Sequence, residues 1–326
     1  MKVKFWGTRG SLPRPLTNDG FIELALDAAT TAEASGGRTI EDFRKFLRAG
    51  KGREPFCFGG HTSCYEVISG ETRCLVDMGT GITDAGTAAV LDNRQNFVVF
   101  QTHMHWDHVM GLPFFVPLYI PGTKIDLYHV HKNTPEHVKI QFNGVNFPVT
   151  WDELGGDVEF HAIKLYKAIT VGPFTVTPFA LDHPGGSFGY RFEAEGKSLA
   201  IGVDGEFKRL SRQDLGKDLR FYQNLDALVF DGQFNLNELA SRNDWGHCSP
   251  SLGCELAMRE GIRNLVLTHH DPRRDDAGGR EMLRDAQTYV DQNLSKYQDI
   301  WKGLNQAEGP NILSAYDGLE LDLNKL

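Results

Sequence analysis

The chain has 326 residues, 40% hydrophobic and 24% charged, enough apolar material for a sizeable core and ordinary for a globular protein. Its formal net charge is −9 with no basic run, a poor surface for coating nucleic acid, although a bound cation can still draw a phosphate to a site. No stretch approaches about 18 uncharged apolar residues, which argues against a membrane partner; the five cysteines (57, 64, 74, 248 and 254) form no Cys-x-x-Cys pair, and no leader-like apolar segment opens the chain, so a cytoplasmic location is expected.

Residues 2–6 alternate as a strand. Gly7-Thr8-Arg9-Gly10-Ser11-Leu12-Pro13 then forms a glycine-punctuated loop whose backbone N–H groups suit an anion. Residues 15–56 differ in texture. Asn18-Asp19 precedes a helix over 21–29, and Thr39 with an acid three residues on opens a second over 39–47. Gly36-Gly37 separates the two and residues 50–55 close the segment. A helical hairpin inserted between strands is expected, either as a packing decoration or as a lid over a site. Strands follow at 62–68 and 73–77 around a turn at Ser69-Gly70, then a polar helix over 84–91. Asp77 ends its strand before Met78-Gly79-Thr80-Gly81, where an acid is placed to orient a ligand histidine.

Residues 96–101 read as a buried strand that delivers the chain to Thr102-His103-Met104-His105-Trp106-Asp107-His108. Extended backbone sends His103 and His105 to one side, and a turn can return Asp107 and His108 to them. Imidazole nitrogen and carboxylate oxygen are donors that zinc, manganese and iron accept. Residues 109–115 are expected to open a helix. His129, His131, His137 and His161 lack ligand-like neighbours at useful spacing and are read as surface or structural residues. Four further apolar strands end in ionisable side chains, at His183, Asp204, Asp231 and His269, with a helix over 251–261 before the last strand. Strand ends converging on one edge are where α/β folds place their sites. Two cations need roughly three terminal ligands each and a bridging carboxylate, which this set can supply. Arg242, Arg273 and Arg274 are either phosphate grips or solvated surface charges.

Asp77 before Gly79-Thr80-Gly81, the 103–108 cluster, His183, Asp204 and His269 resemble, in that order, the five motifs of the metallo-β-lactamase superfamily of metal-dependent hydrolases. The resemblance covers nearly the whole chain apart from 15–56. It implies an α/β fold, a four-layer αββα sandwich forming a single domain over 1–326. It also implies two divalent metal ions, zinc foremost with manganese or iron as alternatives. His103, His105 and His183 would bind one ion, Asp107, His108 and His269 the other, and Asp204 would bridge them. Leu181-Asp182-His183 followed by Gly189-Tyr190-Arg191-Phe192, and Trp245-Gly246-His247-Cys248-Ser249, are similar to the ribonuclease Z and cyclic-phosphodiesterase branch. That branch implies phosphodiester hydrolysis by a metal-bridging hydroxide, with Asp107, His247 and Asp231 catalytic. His247 would protonate the leaving group and Asp231 would orient it. Ribonuclease Z grips tRNA with a long arm between the motifs of His183 and Asp204, yet about twenty residues separate them here. A small phosphodiester is therefore the expected partner, and tRNA 3′ processing ranks behind it. A thioester or lactone hydrolase on the same metal core and a non-catalytic metal-binding protein are the competing functions. A homodimer is an admissible assembly.

Overall fold

The computed structural model describes residues 1–49, 55–209 and 211–326, so residues 50–54 of the expected hairpin's end lie outside the described residues. Among the described residues, fourteen strands form two seven-stranded sheets. The first runs β14-β1-β2-β3-β4-β5-β6, from β1 (Lys2–Gly7), β2 (Cys64–Ser69), β3 (Thr72–Val76), β4 (Asn96–Gln101), β5 (Lys124–His129), β6 (Asp157–Ala162) and β14 (Glu320–Asp322). The second runs β13-β12-β11-β10-β9-β8-β7, from β7 (Ile169–Val171), β8 (Phe174–Leu181), β9 (Ser187–Ala194), β10 (Lys197–Gly202), β11 (Ala227–Asp231), β12 (Asn264–Thr268) and β13 (Asn311–Ser314).

The two-residue period of a strand explains the layering. Cys74 and Val76 point into the seam between the sheets, where they meet Phe100, Phe174, Tyr190 and Phe192. Leu75, between them, faces outward to Ile82, Ala85 and Phe115. In the second sheet Val229 faces the seam, whereas Leu228 and Phe230 face Leu256 and Leu283 on the helices Pro250–Glu260 and Asp276–Asn293. Helices thus cover both outer faces, giving the αββα sandwich.

Two helices lie between β1 and β2 among the described residues. Helix α1 (Asn18–Ala34) is capped by Thr17, whose side chain accepts from Gly20 N at 3.1 Å. In α2 (Ile40–Ala49), Thr39 Oγ1 accepts from Asp42 N while the Asp42 carboxylate accepts from Thr39 N, both at 3.1 Å. Asp27 of α1 pairs with Arg280, and Arg280 Nη1 also donates to Phe56 O at 2.9 Å. The hairpin is therefore tied to the helix that follows His269. Helix α3 (Ile82–Leu91) follows β3 and, unlike the polar helix expected over 84–91, buries Ile82, Ala85 and Ala89 against the sheet. Residues 109–115 do not open an α-helix. Leu112–Phe114 forms a 3₁₀ turn within them and Val116–Tyr119 a second just beyond, because Pro113 and Pro117 remove the N–H groups that an α-helix would need. Among the described residues no helix is long and apolar enough to cross a membrane.

Candidate metal centre

Strands β3 to β6 are parallel to one another, as are β10 to β13. Their carboxyl ends meet at one edge of the sandwich. Asp77 follows β3, His103 follows β4, Asp204 lies just beyond β10, Asp231 closes β11 and His269 follows β12. His183 sits in the turn from β8 to β9. Asp231 pairs in register with Thr268, which sets it beside His269. Candidate ligand atoms of His103, His105, His183 and Asp204 all lie within 4.8 Å of one another, and so do those of Asp107, His108, Asp204 and His269. A third group of the same span joins Asp204 and His269 to Asp231 and His247.

Hydrogen bonds on the outer side of each ring decide which nitrogens face inward. His108 Nδ1 donates to Asp77 Oδ2 at 2.7 Å, a carboxylate that can only accept. His183 Nδ1 donates to Gly246 O at 2.8 Å, and His269 Nδ1 is 3.0 Å from Gln233 Oε1. Thr102 Oγ1 bonds both Asp77 oxygens and lies 3.0 Å from His103 Nδ1. With the outer nitrogens of these four rings engaged, their Nε2 atoms face the centre and can offer lone pairs once free of a proton. The His183 Nε2 atom then lies 2.9 Å from His105 Nδ1, and His108 Nε2 3.4 Å from His269 Nε2. Asp204 Oδ1 is 2.9 Å from His269 Nε2 and 3.2 Å from His108 Nε2, yet neither it nor His103 Nε2 makes a hydrogen bond. Converging lone pairs and orphaned buried donor atoms are costly unless a cation lies between them.

Electrostatics point the same way. Burial, reinforced by His108, pushes His103 well below the ordinary imidazole range. Burial also opposes protonation of His269 and His108, but Asp204 and Asp107 outweigh it and raise both, His269 to about 10. Those imidazoles hold Asp107 and Asp204 well below the usual carboxylate range despite burial. Without metal, protons shared with His108 and His269 neutralise two buried carboxylates, and a divalent cation would take their place. The residues present therefore fit a metal: nitrogen and carboxylate donors, inward lone pairs and a charge deficit.

His247 stands beside this cluster, its ring 5.0 Å from that of His269. Its Nδ1 lies 2.9 Å from Asp231 Oδ2. The loop that bears it is locked to the cluster through Gly246. At φ +84 a Cβ on Gly246 would lie 2.1 Å from His183 Nδ1, so a side chain there would displace the ring. Glu206, almost fully buried, accepts from Asp244 N at 3.2 Å and Gly246 N at 3.3 Å.

The structure thus brings all nine of the sequence-derived site residues to one edge: His103, His105, Asp107, His108, His183, Asp204, Asp231, His247 and His269. Sequence reasoning missed Gln233, which holds His269, and Glu206. Gln233 follows Asp231 by two positions at the same strand end, a signal that was open to inspection. The glycine-punctuated loop does present an N–H to an anion, but the anion is Asp107, whose Oδ2 accepts from Ser11 N at 2.7 Å. Ser11, Asp77 and His269 all have left-handed φ, at 63°, 66° and 60°, strain of the kind that collects at functional sites. His131 and His137 line a cavity that opens on His103 and His105, and His131 is tied to Gly186 O, a structural role in line with its reading. His161 pairs with Asp126 at 2.7 Å, a contact that crosses from β6 to β5 and so leaves no local sequence signal. Arg273 is engaged by Asp271 and Arg274 by Glu238, while Arg242 lies 4.4 Å over the Phe234 ring.

Residues 72–270 match the β-lactamase superfamily domain. Ribonuclease BN of Escherichia coli is 21% identical over 243 residues, spanning 58% of this chain and 75% of that protein. The metallo-β-lactamase fold protein YhfI of Bacillus subtilis superposes with a TM-score of 0.62 at 17% identity, over 98% of each chain. Zn2+-bound PqqB of Methylobacterium extorquens does so with a TM-score of 0.57 at 18% identity, over 99% of this chain and 100% of that one. A domain match across more than half its length, on a fold shared almost end to end with YhfI, makes this chain a member of the β-lactamase superfamily, a hydrolase of the metallo-β-lactamase fold.

Proposed function

We propose that the protein is a dinuclear metal-dependent phosphodiesterase acting on a small phosphodiester, with zinc as the resident ion. His103, His105 and His183 would hold one ion, Asp107, His108 and His269 the other, and Asp204 would serve both. When bound, such ions supply Lewis acidity to phosphoryl oxygens and make hydroxide available near neutral pH. The observation that carries the reading is the His247–Asp231 pair, 2.9 Å apart at the edge of the ligand set. Asp231 accepts the hydrogen bond from Nδ1–H, which leaves His247 Nε2 as the nitrogen that can hand a proton to a departing alkoxide. A thioester would give this pair no task, because a thiolate leaves without a proton far more readily than an alkoxide. The name of Ribonuclease BN is in keeping with phosphodiester chemistry, and the zinc of PqqB with the choice of ion. Strands β9 and β10 take up most of the chain between His183 and Asp204, leaving no room there for a tRNA-gripping arm, which favours a small substrate.

The test is His247→Ala in metal-loaded protein. Metal content should be unchanged. Turnover of an alkyl phosphodiester should fall about 10²–10⁴-fold, the range of general acid catalysis. A 4-nitrophenyl ester, which needs little protonation, should lose less than about tenfold. Equal losses on both substrates would refute the proton-donor role.

A further inference from the structure

A cavity of about 480 Å³ opens beside His103 and His105, within the size range of small-molecule sites. Its outer wall is the segment after β5, with His131, Lys132, Asn133 and His137. Its rim is the Gly185-Gly186 turn between β8 and β9. Nothing in the ligand sets or the His247–Asp231 pair accounts for this wall.

The wall is held in shape from three directions. His129 Nδ1 donates to His131 O at 2.7 Å, and Thr134 Oγ1 donates to the same carbonyl at 3.1 Å. Across the rim, His131 Nε2 lies 2.7 Å from Gly186 O, and the His131 ring packs edge-on against Phe188 at 5.0 Å. Gly185 and Gly186, at φ +80 and +86, adopt a backbone that few other residues tolerate and so carry the rim round to His131. The cavity is thus a formed feature with hydrogen-bond donors in its wall.

Its charge is the informative part. The chain has 43 Asp and Glu against 34 Lys and Arg, yet among the described residues no carboxylate lines this cavity. Lys132 pairs with no carboxylate among the described residues. A protein of net charge −9 repels an anionic substrate at long range, so local cationic groups are what can retain one.

We propose that this cavity receives a second anionic group of the substrate, a phosphate monoester or a carboxylate borne by one of the two esterified alcohols. Lys132 supplies the charge, and Asn133 and His137 supply further polar contacts. The inference rests on the phosphodiesterase reading and narrows it to substrates charged at one end.

The experiment uses three matched 4-nitrophenyl phosphodiesters whose other alcohol ends in a hydroxyl, a carboxylate or a phosphate monoester. Binding to metal-loaded protein is measured by calorimetry and cleavage by release of nitrophenol. Wild type should bind one or both anion-ended esters about tenfold or more tighter than the hydroxyl-ended one, the scale of a charge-assisted contact. The tighter of the two names the anion. Lys132→Ala should abolish the difference and Lys132→Glu should reverse it. Equal binding of all three by wild type, or a preference that survives Lys132→Ala, would overturn the subsite. The two readings separate cleanly. Cleavage of all three without preference leaves the phosphodiesterase standing and removes the subsite. A Lys132-dependent preference without cleavage does the reverse.

Discussion

Asp77→Asn probes the geometry of the centre without touching a candidate ligand. In the wild type, Asp77 Oδ1 accepts from Thr102 N at 2.9 Å and Gln101 Nε2 at 3.1 Å, while Oδ2 accepts from His108 Nδ1 at 2.7 Å. The two donors at Oδ1 force an asparagine to keep its oxygen there, so its NH2 group faces His108 Nδ1. Two donors cannot share that contact. His108 must shift its proton to Nε2, which erases the inward lone pair, or turn its ring away. Disturbing a partner of a metal-bound histidine typically costs 10–100-fold in metal affinity, about 1.4–2.8 kcal/mol. Thermal melts of metal-free and metal-saturated protein, with chelator competition for Kd, separate this effect from misfolding. The metal-free variant should melt cooperatively, and the stabilisation gained on adding metal should shrink by the same amount. Wild-type metal affinity in a folded Asp77→Asn variant would refute the argument that outer hydrogen bonds set the inward lone pairs.

Gly246→Ala places a methyl group 2.1 Å from His183 Nδ1 at a left-handed φ; it should destabilise the chain by about 2 kcal/mol or more and weaken metal binding, read by urea denaturation and metal titration. Glu206→Gln can satisfy only one of the Asp244 and Gly246 N–H groups, leaving the other unpaired at about 1–3 kcal/mol. Because that loop carries His247, turnover of an alkyl phosphodiester should fall more than that of a 4-nitrophenyl ester, and equal falls would contradict the positioning role. In the metal-free protein His269 is raised to about 10 from an unfolded value near 6.5. Its stabilising proton is fully present below about pH 6.5 and lost as pH rises through about 10, so metal-free stability should decline across that window. Metal must displace the same proton, so measured affinity should climb with pH from 7 to 9, and a flat profile would argue against it.

Much of this arrangement was legible in the chain. Apolar runs such as 96–101 and 264–268 carry strand periodicity, and a His or Asp within two residues of each run's end falls at a sheet edge almost by necessity. The 103–108 cluster announces itself because four donors fall within six consecutive residues. The stretch after it misled: its apolar texture suggested a helix, but Pro113 and Pro117 hold it to 3₁₀ turns. What could not be read were contacts made across sequence distance. Glu206 reaches Gly246 from 40 residues away and His131 reaches Gly186 from 55, pairings fixed by how the two sheets close on each other rather than by local pattern. Gln233 lay within reach of inspection, yet glutamine is so often a surface residue that its contact with His269 emerges only in the fold.

The central claim is that Asp204 serves two cations at once, and metal stoichiometry tests it most directly. Purified protein equilibrated with zinc and then freed of excess should carry two ions per chain by elemental analysis, as a shared-carboxylate centre requires. Asp204→Ala should fall to one ion or fewer while His247→Ala keeps both. A wild-type chain that never exceeds one ion at saturation, or an Asp204→Ala chain that retains two, would contradict the account.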